Sequence, residues 1–206
     1  MSKVIIAIHG LGNKPPYRLL QQWGKMSIQE GLQDRGLTIE LPEFELVYWA
    51  DLLYDKPQTA DEADKNSPYF LDEVYTTAPK NYKFESHEVR KYFMDLFKKL
   101  VYKIFLKKNY HLRYAFVSQK LLHKYFHELE VYFNGYSEFN SDLNFQIKEK
   151  IVNRLSDVLL KHSNDEIMLI AHSMGTIIAF DVLSFINQTA KIDTLVTMGA
   201  PLGALL

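Results

Sequence analysis

Cysteine is absent from the 206 residues. Its absence excludes disulfide scaffolds, thiolate metal sites and cysteine nucleophiles. An excess of one charge is absent as well, since 24 Lys and Arg stand against 25 Asp and Glu, a net −1. That balance excludes an overall basic footprint for nucleic acid and an overall polyelectrolyte tail. No uninterrupted apolar run approaches the ~18–20 residues that span a bilayer. The opening MSKVIIAIHG lacks the longer apolar stretch and small-residue cleavage site of a signal peptide. These absences predict a cytoplasmic protein folded as one domain over 1–206, with chain enough for one sizeable core. No metal and no cofactor are expected.

What is present is a set of short Ile- and Val-rich runs separated by helical patterns. Val4 to Ile8 is a continuous apolar run closed by His-Gly-Leu-Gly-Asn-Lys-Pro-Pro, which reads as a buried strand. Residues 17–35 carry Leu19, Leu20, Trp23, Met26, Ile28 and Leu32 at helical spacing, and Gly36 suits the stop. Phe44 to Ala50 reads as a second strand. Leu143 to Leu160 places Leu143, Ile147, Ile151, Leu155, Val158 and Leu159 on one helical face. Ile167 to Ala171 is a third strand, Gly175 to Ile186 a helix apolar nearly all round, and Thr194 to Met198 a fourth strand. Strands alternating with helices predict an α/β fold on a parallel sheet. Parallel strands put their C-terminal ends on one edge, where ligands of such sheets bind. Those ends are His9–Gly12, Asp51, His172–Ser173 and Gly199–Pro201.

Between Asp51 and Leu143 the alternation breaks. Residues 51–80 are polar and turn-rich, while 86–108 and 111–133 show apolar residues at helical spacing. The segment at about 52–142 is therefore expected to be a helical cap insertion over the sheet edge.

Ala171-His172-Ser173-Met174-Gly175 is the sharpest chemical signal. It follows a strand and opens a helix. A serine hydroxyl is a poor nucleophile unless exposed and activated, and a sharp strand-to-helix turn exposes it. The Met174 N–H, at the helix N-terminus, is placed to stabilise an oxyanion. The alternative is a serine that caps the helix with its side chain. Ala171 stands where the G-x-S-x-G pattern has glycine. In His9-Gly10-Leu11-Gly12 the two glycines let the backbone bend, and Leu11 N–H is the best candidate for a second oxyanion donor. A dinucleotide loop is disfavoured, because Pro15 stands where G-x-G-x-x-G has its third glycine. His9 reads as structural or pocket-lining rather than as the general base.

These motifs in this order resemble the α/β-hydrolase superfamily, its lipase and esterase branch in particular. VIIAIHGLGNKP is similar to that family's third strand and oxyanion loop, FELVYWAD to its fourth strand, IMLIAHSMGTIIAF to its fifth strand, elbow and helix, and TLVTMGAP to its sixth strand. The resemblance covers roughly residues 3–50 and 145–202. It implies a serine hydrolase of carboxylic esters acting on a small-molecule acyl ester or lipid. Ser173 would be the nucleophile, and Leu11 and Met174 would hold the oxyanion. It also implies an acid and a histidine on later strands, but after Pro201 only Leu-Gly-Ala-Leu-Leu remains. Three explanations stay open: a longer hydrolase of which this is the N-terminal part, a chain that lost catalysis, or a site completed by an unusual base or a partner subunit. Asp51, His111, His123, His127, His172, Asp181 and Asp193 are weak substitutes for the missing groups.

The segment 80–124 is strongly basic and crowded with aromatics, including Tyr92, Phe93, Phe97, Tyr102 and Phe105. It gives the alternative function: a non-catalytic module of the same fold that binds a membrane surface or protein through basic aromatic helices. Peripheral membrane contact is left open on that ground. A sheet that ends at the fourth strand exposes an apolar edge, so association is expected.

Overall fold

The computed structural model describes residues 1–72, 74–78, 128, 131, 132 and 141–200. The predicted helix 86–108 lies outside the described residues, as does 111–133 apart from Glu128, Val131 and Tyr132, which are helical. His111, His123, His127 and the whole of the basic aromatic segment 80–124 therefore also fall outside.

Four parallel strands form one sheet in the order β2-β1-β3-β4. They are β1 (Lys3–Ile8), β2 (Glu43–Val47), β3 (Glu166–His172) and β4 (Thr194–Met198). Among the described residues, three helices pack on them: α1 (Tyr17–Asp34), α2 (Ser141–Lys161) and α3 (Met174–Asp181). The second strand is shorter than its apolar run. After Val47 the backbone turns at Trp49, and Ala50–Leu52 forms a single 3₁₀ turn.

Alternation along the strands builds two cores. Val4, Ile6, Ile8, Val47, Ile167, Leu169 and Ala171 face α2 and α3 and form the larger one with Ile151, Leu155, Leu159, Ile177 and Ile178. Both sides of β1 are apolar because both sides are covered, whereas β3 buries Ile167, Leu169 and Ala171 on one side and leaves Met168 exposed on the other. Ile5, Phe44 and Leu46 face the other way and pack against Leu20 and Ile28 of α1. Each Ile or Leu buried fully in the larger core contributes about 1.5–3 kcal/mol.

Helix boundaries follow from local chemistry. Gly36, at φ 72°, ends α1, with Gly36 N–H donating to Gln33 O and Leu37 N–H to Leu32 O. This is the paired C-terminal bond pattern that needs a left-handed residue. Helix α3 keeps α-helical winding to Asp181 and widens to a π-turn over Val182–Ile186. Beyond Ala179, Val182 still lies in the larger core, while Phe180, Phe185 and Ile186 are exposed. No helix among the described residues is long and apolar enough to cross a membrane.

Candidate active site

All four strands end on one edge, and β1 and β3 are neighbours there. That adjacency brings the loop after β1 against the turn after β3. Ser173 sits in that turn with φ 52° and ψ −120°, the sole non-glycine residue of positive φ among those described. Such a conformation costs about 1–3 kcal/mol and persists only where its surroundings enforce it. Here they do. Ser173 N–H donates to Met198 O of β4 (2.8 Å), and Ser173 O accepts from Thr176 N–H (2.9 Å) and from the Thr176 hydroxyl. The Ser173 side chain makes no capping bond to α3. A capping serine has extended backbone and a bonded hydroxyl; Ser173 has neither, so the helix-cap alternative fails.

Two glycines permit this turn. A Cβ on Gly175 would stand 2.7 Å from Ile8 O and 2.9 Å from His9 O, so α3 could not begin this close to β1 with a larger residue. A Cβ on Gly10 would stand 2.7 Å from Ser173 Cβ and 3.2 Å from His172 Nδ1. The loop after β1 therefore lies directly against the serine. Leu11 is half-buried on the larger core, and Met174 is fully buried at the first position of α3. Neither the Leu11 nor the Met174 N–H donates to a described residue.

His9 is structural. Its Nε2 accepts from Trp49 N–H (3.0 Å), which leaves the proton on Nδ1 to be donated to Gly10 O (2.8 Å). Trp49 Nε1–H in turn donates to His9 O (3.0 Å), and the two rings stack at 4.8 Å. Burial, reinforced by the Lys14 ammonium, pushes the imidazole down to about 3. His9 is therefore neutral at physiological pH, with both nitrogens committed. His172 is exposed overall, but its ring lies beside Gly10 and Gly199. Burial of that ring, then Lys14, holds it below the usual histidine range.

The remaining sequence candidates are engaged elsewhere. Asp51 pairs through both carboxylate oxygens with the Arg154 guanidinium of α2. Asp181 accepts from Tyr132 Oη (2.8 Å) and pairs with Lys148 (3.3 Å) at the far end of α3. Asp193 accepts from Ile167 N–H at the start of β3, on the opposite sheet edge. Among the described residues no imidazole or carboxylate is hydrogen-bonded to Ser173 Oγ. An open cleft of about 250 Å³ on the same edge is walled by Asn13, Tyr17, Tyr48, Asp51 and Tyr54. Ser173 is not part of its wall.

Two site residues escape the motif reading. Lys14 Nζ donates to Leu11 O and to Gly12 O (2.8 Å). Glu128, buried at 3% exposure, accepts Gly12 N–H at both carboxylate oxygens (3.0 and 2.8 Å) and the Tyr54 hydroxyl at one. A signal for Glu128 exists in the sequence. It lies three residues after Tyr125 and four before Tyr132, so its carboxylate interrupts the apolar face of a predicted helix. Comparison with protein-family models, curated proteins and solved structures finds no match for this chain.

Proposed function

We propose that the chain is a serine hydrolase of carboxylic esters, with an acyl or lipid-like substrate and Ser173 as the nucleophile. The observation that carries the reading is the backbone of Ser173, a strained non-glycine turn between a parallel strand and a helix. Strain of this kind clusters at functional sites, and a strand-to-helix serine elbow is the arrangement that acyl transfer uses. Ser173 Oγ would attack the ester carbonyl. The N–H groups of Leu11 and Met174 would receive the oxyanion, and donors of this kind are each worth about 10²–10³ in rate. On this reading the general base and its acid lie outside the described residues.

Treatment of the full-length gene product with a fluorophosphonate, followed by mass spectrometry of the peptide containing Ser173, tests the proposal. Adduct on Ser173, absent from Ser173→Ala, is the expected result. A folded full-length gene product that stays unlabelled removes the enzyme reading and leaves the non-catalytic module of the same architecture.

A further inference from the structure

Leu11 is flanked by Gly10 and Gly12, and Gly12 sits at φ 86°. A glycine on either side makes a loop free to rotate its peptide planes. A donor on such a loop would not keep one direction. The peptide planes around Leu11 are nevertheless held at every other polar group. In the Gly10–Leu11 plane, Gly10 O accepts from His9 Nδ1–H (2.8 Å). A trans peptide is planar, with N–H and C=O pointing in opposite directions. Fixing Gly10 O therefore fixes the line of Leu11 N–H. In the Leu11–Gly12 plane, Leu11 O accepts from Lys14 Nζ, and Gly12 N–H donates to the Glu128 carboxylate.

We propose that Glu128 is a positioning residue for the oxyanion loop: while His9 sets the line of Leu11 N–H through Gly10 O, the buried Glu128 carboxylate, acting with Lys14, locks the adjoining Leu11–Gly12 peptide plane and so keeps the loop from carrying that N–H away from Ser173. This deepens the hydrolase reading and rests on it. Glu128 comes from the segment first expected to be only a cover for the site. It is well placed to act as an anchor, because the same carboxylate takes the Tyr54 hydroxyl. The neighbouring stretch is tied to the loop independently: Asn13 Nδ2 donates to Lys56 O (2.8 Å) and Gln58 N–H to Lys14 O (2.8 Å). Glu128 thus joins the insertion, the chain after β2 and the loop after β1 at one buried point.

The test compares the full-length gene product with its Glu128→Gln variant and with the milder Tyr54→Phe, which removes one donor to Glu128 and leaves Gly12 its acceptor. Two readouts are taken: amide hydrogen exchange at Gly12, and the kinetics of a p-nitrophenyl ester with the rate of phosphonate labelling at Ser173. Glu128→Gln is expected to speed Gly12 exchange at least about tenfold. It is also expected to lower kcat and the labelling rate about 10- to 100-fold with KM within about twofold, the signature of a loss confined to the transition state. Tyr54→Phe is expected to move both in the same direction by less. A reactive wild type whose kcat is unchanged in Glu128→Gln overturns the positioning role, as does Gly12 exchange that does not respond. An inert wild type whose Gly12 protection still depends on Glu128 removes the hydrolase reading and leaves the clamp standing.

Discussion

Ser173 holds a conformation that only glycine adopts without strain, and it does so beside two glycines whose missing side chains make room for it. Ser173→Gly should therefore stabilise the chain by about 1 kcal/mol or more, while Ser173→Ala keeps the strain and should gain far less. Urea unfolding of both variants checks this. Equal stabilities would mean that the turn carries no strain worth relieving. The same balance explains why a serine is kept there on the hydrolase reading: stability is surrendered at a site where geometry matters more. His9 shows the opposite case, a residue that looks catalytic in sequence and is fully occupied in structure. Its two nitrogens, its carbonyl and its ring face all go to Trp49 and Gly10.

At the scale of elements, the helices and strands were legible wherever one physical signal dominated. Continuous Ile and Val marked β1 because both of its faces are covered, and the apolar run Ile-Met-Leu-Ile-Ala marked β3, which buries one face in the larger core. The turn glycine at 36 marked the end of α1, and Thr194 to Met198 coincided with β4. The misplaced boundary at β2 has a plain cause: Tyr48 and Trp49 are aromatic for packing against His9 and the two cores, and Ala50 is small because it is buried, none of them for strand pairing. At the candidate site, the serine and its loop were legible as local motifs. Glu128 was legible only as a carboxylate interrupting an apolar helical face; its role was not, because its partner Gly12 lies 116 residues away. Glycine roles also separate at this scale. Gly31, in the exposed face of α1, has nothing within 4 Å of a built Cβ, whereas Gly175 would meet two backbone oxygens. Gly31→Ala should stabilise by about 0.5–1 kcal/mol through helix propensity, and Gly175→Ala should destabilise by about 1–3 kcal/mol through overpacking. Thermal melts that rank the two variants the other way would contradict this placement of α1 and α3.

Over the whole molecule, two buried histidines set opposite limits on stability. His162, at the end of α2, lies between Glu45 of β2 and Asp165 (2.8 Å each). Burial alone would discharge it, but the bonds to Asp165 and Glu45 outweigh burial and raise it above the usual histidine range. Its contribution is full below its unfolded value of about 6.5 and is lost as pH rises through the folded value. His9 is held down at about 3, so its contribution is full above about 6.5 and is lost as pH falls toward 3. Unfolding free energies should therefore peak between about pH 6 and 7, with the alkaline limb flattened in His162→Gln. A stability still climbing from pH 7 to 8.5 would contradict this. The two sheet edges also differ. On β2, Leu46 N–H donates to Gln21 of α1 and Glu45 is paired with Lys161. Strand β4 carries no charge, exposes Leu195 and Met198, and has no second partner strand among the described residues. An unprotected edge is a template for pairing, so light scattering of the 206-residue chain should show concentration-dependent association that Val196→Lys suppresses. A monodisperse monomer at all concentrations would count against it.

The strand order has a consequence in time. Strand β1 lies inside the sheet, paired with β2 on one side and with β3 on the other, in register from Lys3 with Glu166 to Ile8 with Ala171. Its second partner is about 160 residues away along the chain, which at 5–20 residues per second is synthesised about 8–30 s later. Through that interval a nascent β1 can pair only with β2, leaving a row of Ile and Val backbone groups open on its inner side. The central strand of the finished protein is thus, during translation, an unguarded edge, and chaperone occupancy on the ribosome should be concentrated in the window before Ile167–Ala171 emerges.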